Sequence, residues 1–379
     1  MRVVIEKIVS QGDGLARVGS DVYFVPGVLP GEEVEVRELS RRKNVVNCEL
    51  LDILVASPKR VVPFCPYWGI CGGCNLQFTT AQEGVRIKES IVLENLRRIG
   101  RIDTSSFHLE PPITGESRGY RQRARFQVDL RAGRIGFYAR GSHEVVDIRN
   151  CPILVPALNT LLCDQRDRVF SVAEQTGRGK GVITVPVLAG SDGEVSLDDT
   201  PVSISVQGRM LRASAGVFFQ NHVGVLDRMI TFIQHYTEGN RIVDLFSGVG
   251  TFASFLESPS RETVAVEHNA SCLSFARENL EYTRFFTEDV ESWNAVAPLS
   301  SVDTVIVDPP RSGLTPIAHR AITDMHSQAL IYVSCDSATF ARDASLFIQQ
   351  GYRLERLAYA DMYPQSSHTE TIAVFGRNG

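Results

Sequence analysis

Over residues 1–56, short Val, Ile, Tyr and Phe runs alternate with Gly and Pro-Gly turns, as in EKIVSQGDGLARVGSDVYFVPGVLPGEEVEVREL, and VNCELLDIL closes the set. Alternation cut by frequent turns predicts a small β-barrel. PKRVVPFCPYWGICGGCNLQF (58–78) is a connector rich in Pro, Cys and Gly. From Ala81 to Ile99 the apolar residues Val85, Ile91, Val92, Leu93 and Leu96 recur at helical spacing, and Gly100 supplies a stop. TSSFHLEPPITGES reads as a loop, and YRQRARFQVDL, GRIGFYAR and HEVVDI as an antiparallel group of strands.

From residue 215 onward the texture changes. RIVDLFS, TVAVEH, DTVIVD and ALIYVS are short apolar strands, with helical patterns over 222–236, 270–282 and 338–350. That alternation predicts an α/β fold with a mostly parallel sheet covered on both faces, and a ligand site beyond the carboxyl ends of its strands. RLERLAYADM and TETIAVFGR predict an antiparallel hairpin at the sheet edge. The expected organisation is therefore a barrel (1–57), a cysteine-rich connector and helix (58–100), a β-rich central domain (101–214) and an α/β domain (215–379).

With 379 residues, 43% hydrophobic and 22% charged, the chain can bury several cores, which excludes a disordered tail or a disulfide-dense mini-domain. No apolar run approaches the roughly 18 residues of a membrane span. Glu6 and Lys7 stand where a signal peptide would need apolar residues, so a cytoplasmic protein without membrane contact is expected. The net charge of −5 is unevenly spread: residues 1–140 hold 21 Lys and Arg against 16 Asp and Glu, the remainder 18 against 28. Arg118, Arg121, Arg123, Arg125, Arg131, Arg134 and Arg140 share 118–140 with one acid, Asp129. Such a patch suits phosphates, with a solvated sheet face as the alternative.

Strand RIVDLFS runs into Gly248-Val249-Gly250-Thr251-Phe252-Ala253, a G-x-G-x-x-A loop expected to open a helix. Small residues there let a ligand approach the backbone and the helix N-terminus. NAD and S-adenosylmethionine both use this architecture. Asp244 favours the latter, because a carboxylate suits a cationic amino-acid end better than a pyrophosphate, and Glu267 is placed for ribose hydroxyls. Asp308-Pro309-Pro310-Arg311 makes a rigid turn after the third of these strands. Cys335 ends the fourth, where a following helix dipole is expected to lower its pKa. His368 and Glu370 stand at the mouth of the last strand. Cys65-x5-Cys71-Gly-Gly-Cys74 supplies three sulfurs, with Cys151 the best fourth candidate and Cys48 and Cys163 the runners-up; zinc and iron–sulfur remain open on chemistry alone.

Together these residues resemble the RNA 5-methyluridine methyltransferases, nearest the branch with an N-terminal TRAM domain and a [4Fe-4S] cluster that modifies 23S ribosomal RNA. GDGLARVGSDVYFVPGVLPGE resembles the TRAM barrel, and CPYWGICGGCNLQF with NCPI resembles the cluster ligands. FFQNH, DLFSGVGTF, VEHN, VDPPRSGL, YVSCDSATFARD and PQSSHTE match the family's catalytic motifs in order. The resemblance implies a class I methyltransferase Rossmann-like sheet behind a TRAM/OB-like barrel. It makes Cys335 the nucleophile and Glu370 the general base. Gln220, Phe246, Thr251, Glu267, Asp289 and Asp308 would line the S-adenosylmethionine and target-base pocket, joined by Asp244 and Gly248 from the reading above. Cys65, Cys71, Cys74 and Cys151 would hold the cluster.

Arg121 and Arg123 are candidate RNA contacts, and a monomer is expected. Three departures from the family pattern are visible: Ser247 for Cys, Ser337 for Pro and Ser366 for Thr. The implied activity is methylation of uridine carbon 5 in 23S rRNA, with tRNA as the alternative substrate. An adenine N6-methyltransferase would place an aromatic where Arg311 stands and has no need for Cys335. A non-enzymatic RNA-binding protein would need neither Cys335 nor Glu370, and a dehydrogenase rests on the glycine loop alone.

Overall fold

The computed structural model describes residues 1–177, 181–296 and 302–377. Strands β1 (Arg2–Val4), β2 (Lys7–Ile8), β3 (Gly14–Val18), β4 (Asp21–Val25), β5 (Glu33–Arg42) and β6 (Val45–Val55) form one sheet in the order β1-β5-β6-β4-β3-β2. Alternation aims Val34 and Val36 of β5 inward, where they meet Val3, Ile5, Val25 and Val46 in a core of their own. The cysteine-rich connector then leads into α1 (Ala81–Arg98), which Thr80 caps by accepting the Glu83 N–H.

The central unit is the antiparallel sheet β10-β9-β8-β11-β12, built from β8 (Arg123–Asp129), β9 (Arg134–Tyr138), β10 (Val145–Asp147), β11 (Val182–Ala189) and β12 (Val195–Ser196). It is less purely β than the sequence predicts, because α2 (Pro156–Cys163) and α3 (Arg166–Gly177) bury Leu158, Leu161, Val169 and Ala173 against it. The hairpin β13 (Val202–Val206) and β14 (Arg209–Ala213) falls within the span read as central. It nevertheless packs its apolar face with Leu226 and Ile230 of α4 (Val223–Tyr236), on the C-terminal unit.

That unit is an eight-stranded sheet ordered β17-β16-β15-β18-β19-β21-β20-β7. Its parallel part comprises β15 (Arg241–Leu245), β16 (Glu262–Val266), β17 (Thr283–Phe286), β18 (Thr304–Val307) and β19 (Ala329–Ser334). Helices α5 (Ala270–Asn279), α6 (Val290–Val296), α7 (Pro316–Asp324) and α8 (Ser337–Gln349) complete the layers.

The C-terminal hairpin is not the sheet edge. β21 (Glu370–Arg377) lies antiparallel between β19 and β20 (Tyr352–Ala360), and β7 (His108–Leu109), from the segment read as a loop, adds a parallel strand outside β20. Two residues are too few to show a strand period in sequence. The glycine loop does not open a full helix either. Only a 3₁₀ turn, Ala253–Phe255, follows it, and Pro259 bars continuation.

Helix α1 packs on α8, and its Val92 and Leu96 join the sheet's core, so the connector helix is part of the C-terminal unit. Among the described residues no helix is long and apolar enough to cross a membrane. Lys88 of α1 is fully buried and donates to Asp361 Oδ1 at 2.6 Å and to the Tyr363 carbonyl at 2.9 Å, while the Tyr359 hydroxyl donates to the same carboxylate oxygen at 2.9 Å. Lys88→Ala leaves that carboxylate buried without its cation and is expected to cost about 3–5 kcal/mol in urea unfolding. Lys88→Met combined with Asp361→Asn removes both charges and should recover most of the loss.

Candidate active site

The site lies at the carboxyl ends of the parallel strands. After β15 the chain turns sharply: Phe246 has φ +60°, Gly248 +56° and Gly250 +80°. A non-glycine residue at positive φ is held there by its surroundings, a condition concentrated at functional sites. A Cβ on Gly250 would come within 2.5 Å of Leu280, so glycine is required for packing as well as conformation. A Cβ on Gly248 would meet nothing within 4 Å; the space above it is open. Glu267, at the end of β16, accepts from the Gly248 N–H at 3.0 Å and the Asn269 N–H at 2.8 Å, which fixes its carboxylate over the loop.

Asp244 is wholly buried. Its Oδ2 accepts from the Ala253 N–H at 3.1 Å, and its Oδ1 has no partner. Burial pushes its pKa up to about 8, the nearby Asp308 and Glu267 charges adding to the rise and the Ala253 N–H opposing it. Asp308 ends β18, accepts from Gln220 Nε2 at 3.3 Å, and is pushed by burial to about 7. Thr251 is buried in the turn after the glycines. Asp289 lies further out, exposed at the start of α6, where its carbonyl accepts from the Ser292 and Trp293 N–H groups.

Cys335 and Glu370 are brought together by sheet register. Ser334 of β19 pairs with Thr371 of β21, so the next residue on each strand, Cys335 and Glu370, stands at the same end of the sheet. Cys335 lines a cavity with Ser337, Ser367, His368 and Thr369, closed on one side by Ser10 of the barrel. The expected depression of its pKa is not found. Asp336 takes up the first N–H groups of α8, accepting from Ala338 and Thr339 at 3.0 and 2.9 Å. Burial then pushes the thiol up to about 12, with Glu370 and Asp308 adding and Arg311 opposing. Burial, with Asp308 beside it, also holds the Glu370 carboxyl protonated well above the usual range, again against Arg311. Arg311, which in sequence served only to argue against an adenine methyltransferase, is the cation beside both groups.

The second constellation is separate. Cys65, Cys71, Cys74 and Cys151 line one enclosed cavity together with Arg121, Tyr67 and Phe137. The runners-up are elsewhere, Cys48 in the barrel core and Cys163 exposed at the end of α2. The Gly73 N–H donates to the Cys71 sulfur at 3.4 Å, and the side-chain oxygens Gln77 Oε1 and Asn159 Oδ1 accept from the Cys65 and Cys151 backbone N–H groups. Burial raises the Cys71 and Cys151 thiols and takes Cys74 to about 12, while the Arg121 charge pulls all three down. Among the described residues no three His, Cys, Asp or Glu side chains converge on a single metal ion. The four cysteines that line the cavity offer only sulfur as donor.

Arg121 and Arg123, the candidate RNA contacts, are both half-buried. Arg121 faces the cysteine cavity, its Nε held by the Arg123 carbonyl at 3.0 Å, and Arg123 has a buried Nε without a partner and packs over Phe218. Arg118, Arg125, Arg131, Arg134 and Arg140 are the exposed members of the run.

Residues 298–377 match the tRNA (Uracil-5-)-methyltransferase family model, 208–333 the methyltransferase small domain and 1–37 the TRAM domain. The chain is 32% identical to the 23S rRNA (uracil(1939)-C(5))-methyltransferase of Pseudomonas savastanoi pv. phaseolicola, across 99% of this chain and 93% of that protein. The chain belongs to the RNA uracil-C5-methyltransferase family. An uncharacterized RNA methyltransferase of Treponema denticola is 30% identical, across 94% of this chain and 93% of that one. The fold is shared with the Pyrococcus abyssi tRNA (uracil-54, C5)-methyltransferase, solved with S-adenosyl-L-homocysteine, at a TM-score of 0.76 and 22% identity over 99% and 100% of the two chains. As a uracil-C5-methyltransferase the protein is an S-adenosylmethionine-dependent enzyme acting on RNA. The unpartnered Asp244 oxygen and the open space over Gly248 fit a cationic cofactor of that kind.

The raised carboxyl pKa values set the pH response of the ligand-free enzyme. Between pH 4 and 8 these carboxyls hold protons in the folded state that the unfolded chain has lost, so their contribution to stability falls as pH rises, while His222, His319 and His368, lowered by burial, contribute in the opposite sense. Asp244→Asn cannot ionise there. In thermal melts from pH 5 to 8.5 the melting temperature of the variant relative to the unaltered protein is expected to rise with pH.

Proposed function

We propose that this enzyme methylates carbon 5 of one uridine in 23S ribosomal RNA, with Cys335 as nucleophile and Glu370 as general base. The observation that carries the chemistry is the register placing those two side chains at one strand end. The ribosomal substrate is supported by identity across nearly the whole length of a relative of that name. Transfer RNA is the second reading.

Carbon 5 of uracil is a weak nucleophile until a thiolate adds to carbon 6. Cys335 must therefore ionise on assembly of the complex, and Arg311 is the cation beside it. When bound, S-adenosylmethionine supplies an electrophilic methyl group. Asp244, Gly248, Thr251 and Glu267 hold it, Phe246 shapes the turn, and Gln220, Asp308 and Asp289 line the rest of the pocket. Glu370, raised by burial and opposed only by Arg311, must likewise give up its proton in the complex; as carboxylate it then accepts the carbon 5 proton while the sulfur–carbon 6 bond breaks and the 5,6 double bond re-forms. The uridine must leave its stack to reach Cys335. The exposed arginines of the 118–140 run hold phosphates, and Arg121 and Arg123 support that surface from below.

Cys65, Cys71, Cys74 and Cys151 hold a [4Fe-4S] cluster. Four thiols lining one cavity are the donor set of such a cluster, and polar methyl transfer uses no electron. The cluster acts as a cross-link between the connector and the central sheet.

RNA carrying 5-fluorouridine at the target should trap a denaturation-resistant complex, and Cys335→Ala should abolish it. Glu370→Gln should slow product release by about 10²–10⁴-fold and leave methyl-labelled RNA attached to protein on a denaturing gel. Release at the normal rate would move the base elsewhere. Anaerobically purified protein should contain iron and absorb broadly in the visible, both lost in Cys74→Ser; stoichiometric zinc without iron would refute the cluster. Ribosomal and transfer RNA offered as separate substrates distinguish the two readings.

A further inference from the structure

The two constellations are joined by one side chain. Asn75 directly follows Cys74, and its Oδ1 accepts from the Ser367 N–H at 2.7 Å. Its Nδ2 donates to the Ser367 hydroxyl at 3.0 Å and to the Gln11 carbonyl of the barrel at 2.9 Å. The Asn75 and Leu76 backbone N–H groups both donate to the Gln365 carbonyl at 3.1 Å. Barrel, cysteine loop and the segment running into Glu370 therefore meet at one amide.

The contact is close-packed. Gly12, at φ +84°, would place a Cβ 2.5 Å from Asn75 Nδ2 and 3.1 Å from Ser367 Cβ. Ser10, two residues earlier, lines the cavity of Cys335. The Lys88–Asp361 pair anchors the start of the same segment, so residues 361–369 are held at one end by charge and in the middle by Asn75.

We propose that Asn75 is a positioning residue for the elimination step: it fixes residues 365–369, and through them the Glu370 carboxylate, against the carbon 5 proton. The proposal rests on the reading of Glu370 as base. Nucleophilic addition and methyl transfer proceed from Cys335, which is carried by β19 and needs no help from Asn75. Proton removal from carbon 5, with return of the electron pair to the 5,6 bond and departure of the Cys335 sulfur, depends on where Glu370 stands. A side chain acting on that step alone slows turnover without weakening substrate binding and makes the covalent intermediate accumulate.

The test uses the full-length holoenzyme with methyl-labelled cofactor and target RNA. Asn75→Ala should lower kcat on the order of tenfold to a hundredfold with kcat/KM for RNA and cofactor little changed, since only a step after methyl transfer is slowed by the misplaced group. The fraction of enzyme holding labelled RNA in a denaturation-resistant adduct during turnover should rise in step. Asn75→Asp keeps an acceptor for the Ser367 N–H and should restore much of the rate. Iron content and visible absorbance should match the unaltered protein. A fall in kcat without adduct accumulation, a rise in KM that accounts for the loss, iron lost in parallel with activity, or an Asp variant as slow as the Ala variant would each overturn the proposal. Absence of any 5-fluorouridine adduct with the unaltered enzyme would instead overturn the Cys335 chemistry, a separate result.

Discussion

Between β19 and β21 the ladder pairs Ser334 with Thr371, and the placement of Cys335 and Glu370 at one end of the sheet follows from that pairing. A slip of one residue would turn every side chain of β21 to the opposite face, and a slip of two would carry Glu370 a full strand step away from Cys335. The register is held by burial on both faces of the sheet: Ile331 and Val333 of β19 and Ile372 of β21 enter one core, Leu330, Tyr332, Ala373 and Phe375 the other. An inserted antiparallel strand is what a purely parallel sheet lacks. It delivers a residue from a distant part of the chain to the edge where the parallel strands already end.

The second physical theme is unspent charge. Asp244, Asp308 and Glu370 are carboxyls in surroundings that disfavour their ionised forms, and Cys335 is a thiol kept from ionising by the same burial. Such crowding is unfavourable in the empty protein and becomes favourable when positive charge enters. A sulfonium cofactor and Arg311 are cations of the required sign.

The α/β class, the barrel, α1, the strand ends carrying Asp244, Glu267, Asp308 and Cys335, and the gathering of Cys151 with Cys65, Cys71 and Cys74 were legible in sequence, because periodicity and strand-end position carry them. Other features had no local signal. β7 is two residues long and exists only because β20 offers it an edge. The shortened helix after the glycine loop depends on Pro259, six residues beyond Ala253, and on the packing of Gly250 against Leu280. The Cys335 dipole argument failed because the neighbouring Asp336 consumes the helix N-terminus. Arg121 counted as one charge of the 118–140 run, whereas only the fold reveals that it faces four thiols.

The buried pair of Lys88 and Asp361 spans 273 positions of the chain. On a ribosome adding about 5–20 residues per second, Lys88 waits roughly 15–55 s for its partner. Throughout that interval the apolar face of α1, with Val92 and Leu96, has no α8 to cover it. The barrel, with a core drawn entirely from residues 3–53, can close at once. The connector helix can cover Ile87 and Ile91 with Ile8 and Leu29 of the barrel, but Val92 and Leu96 stay open until the C-terminal sheet and α8 are made.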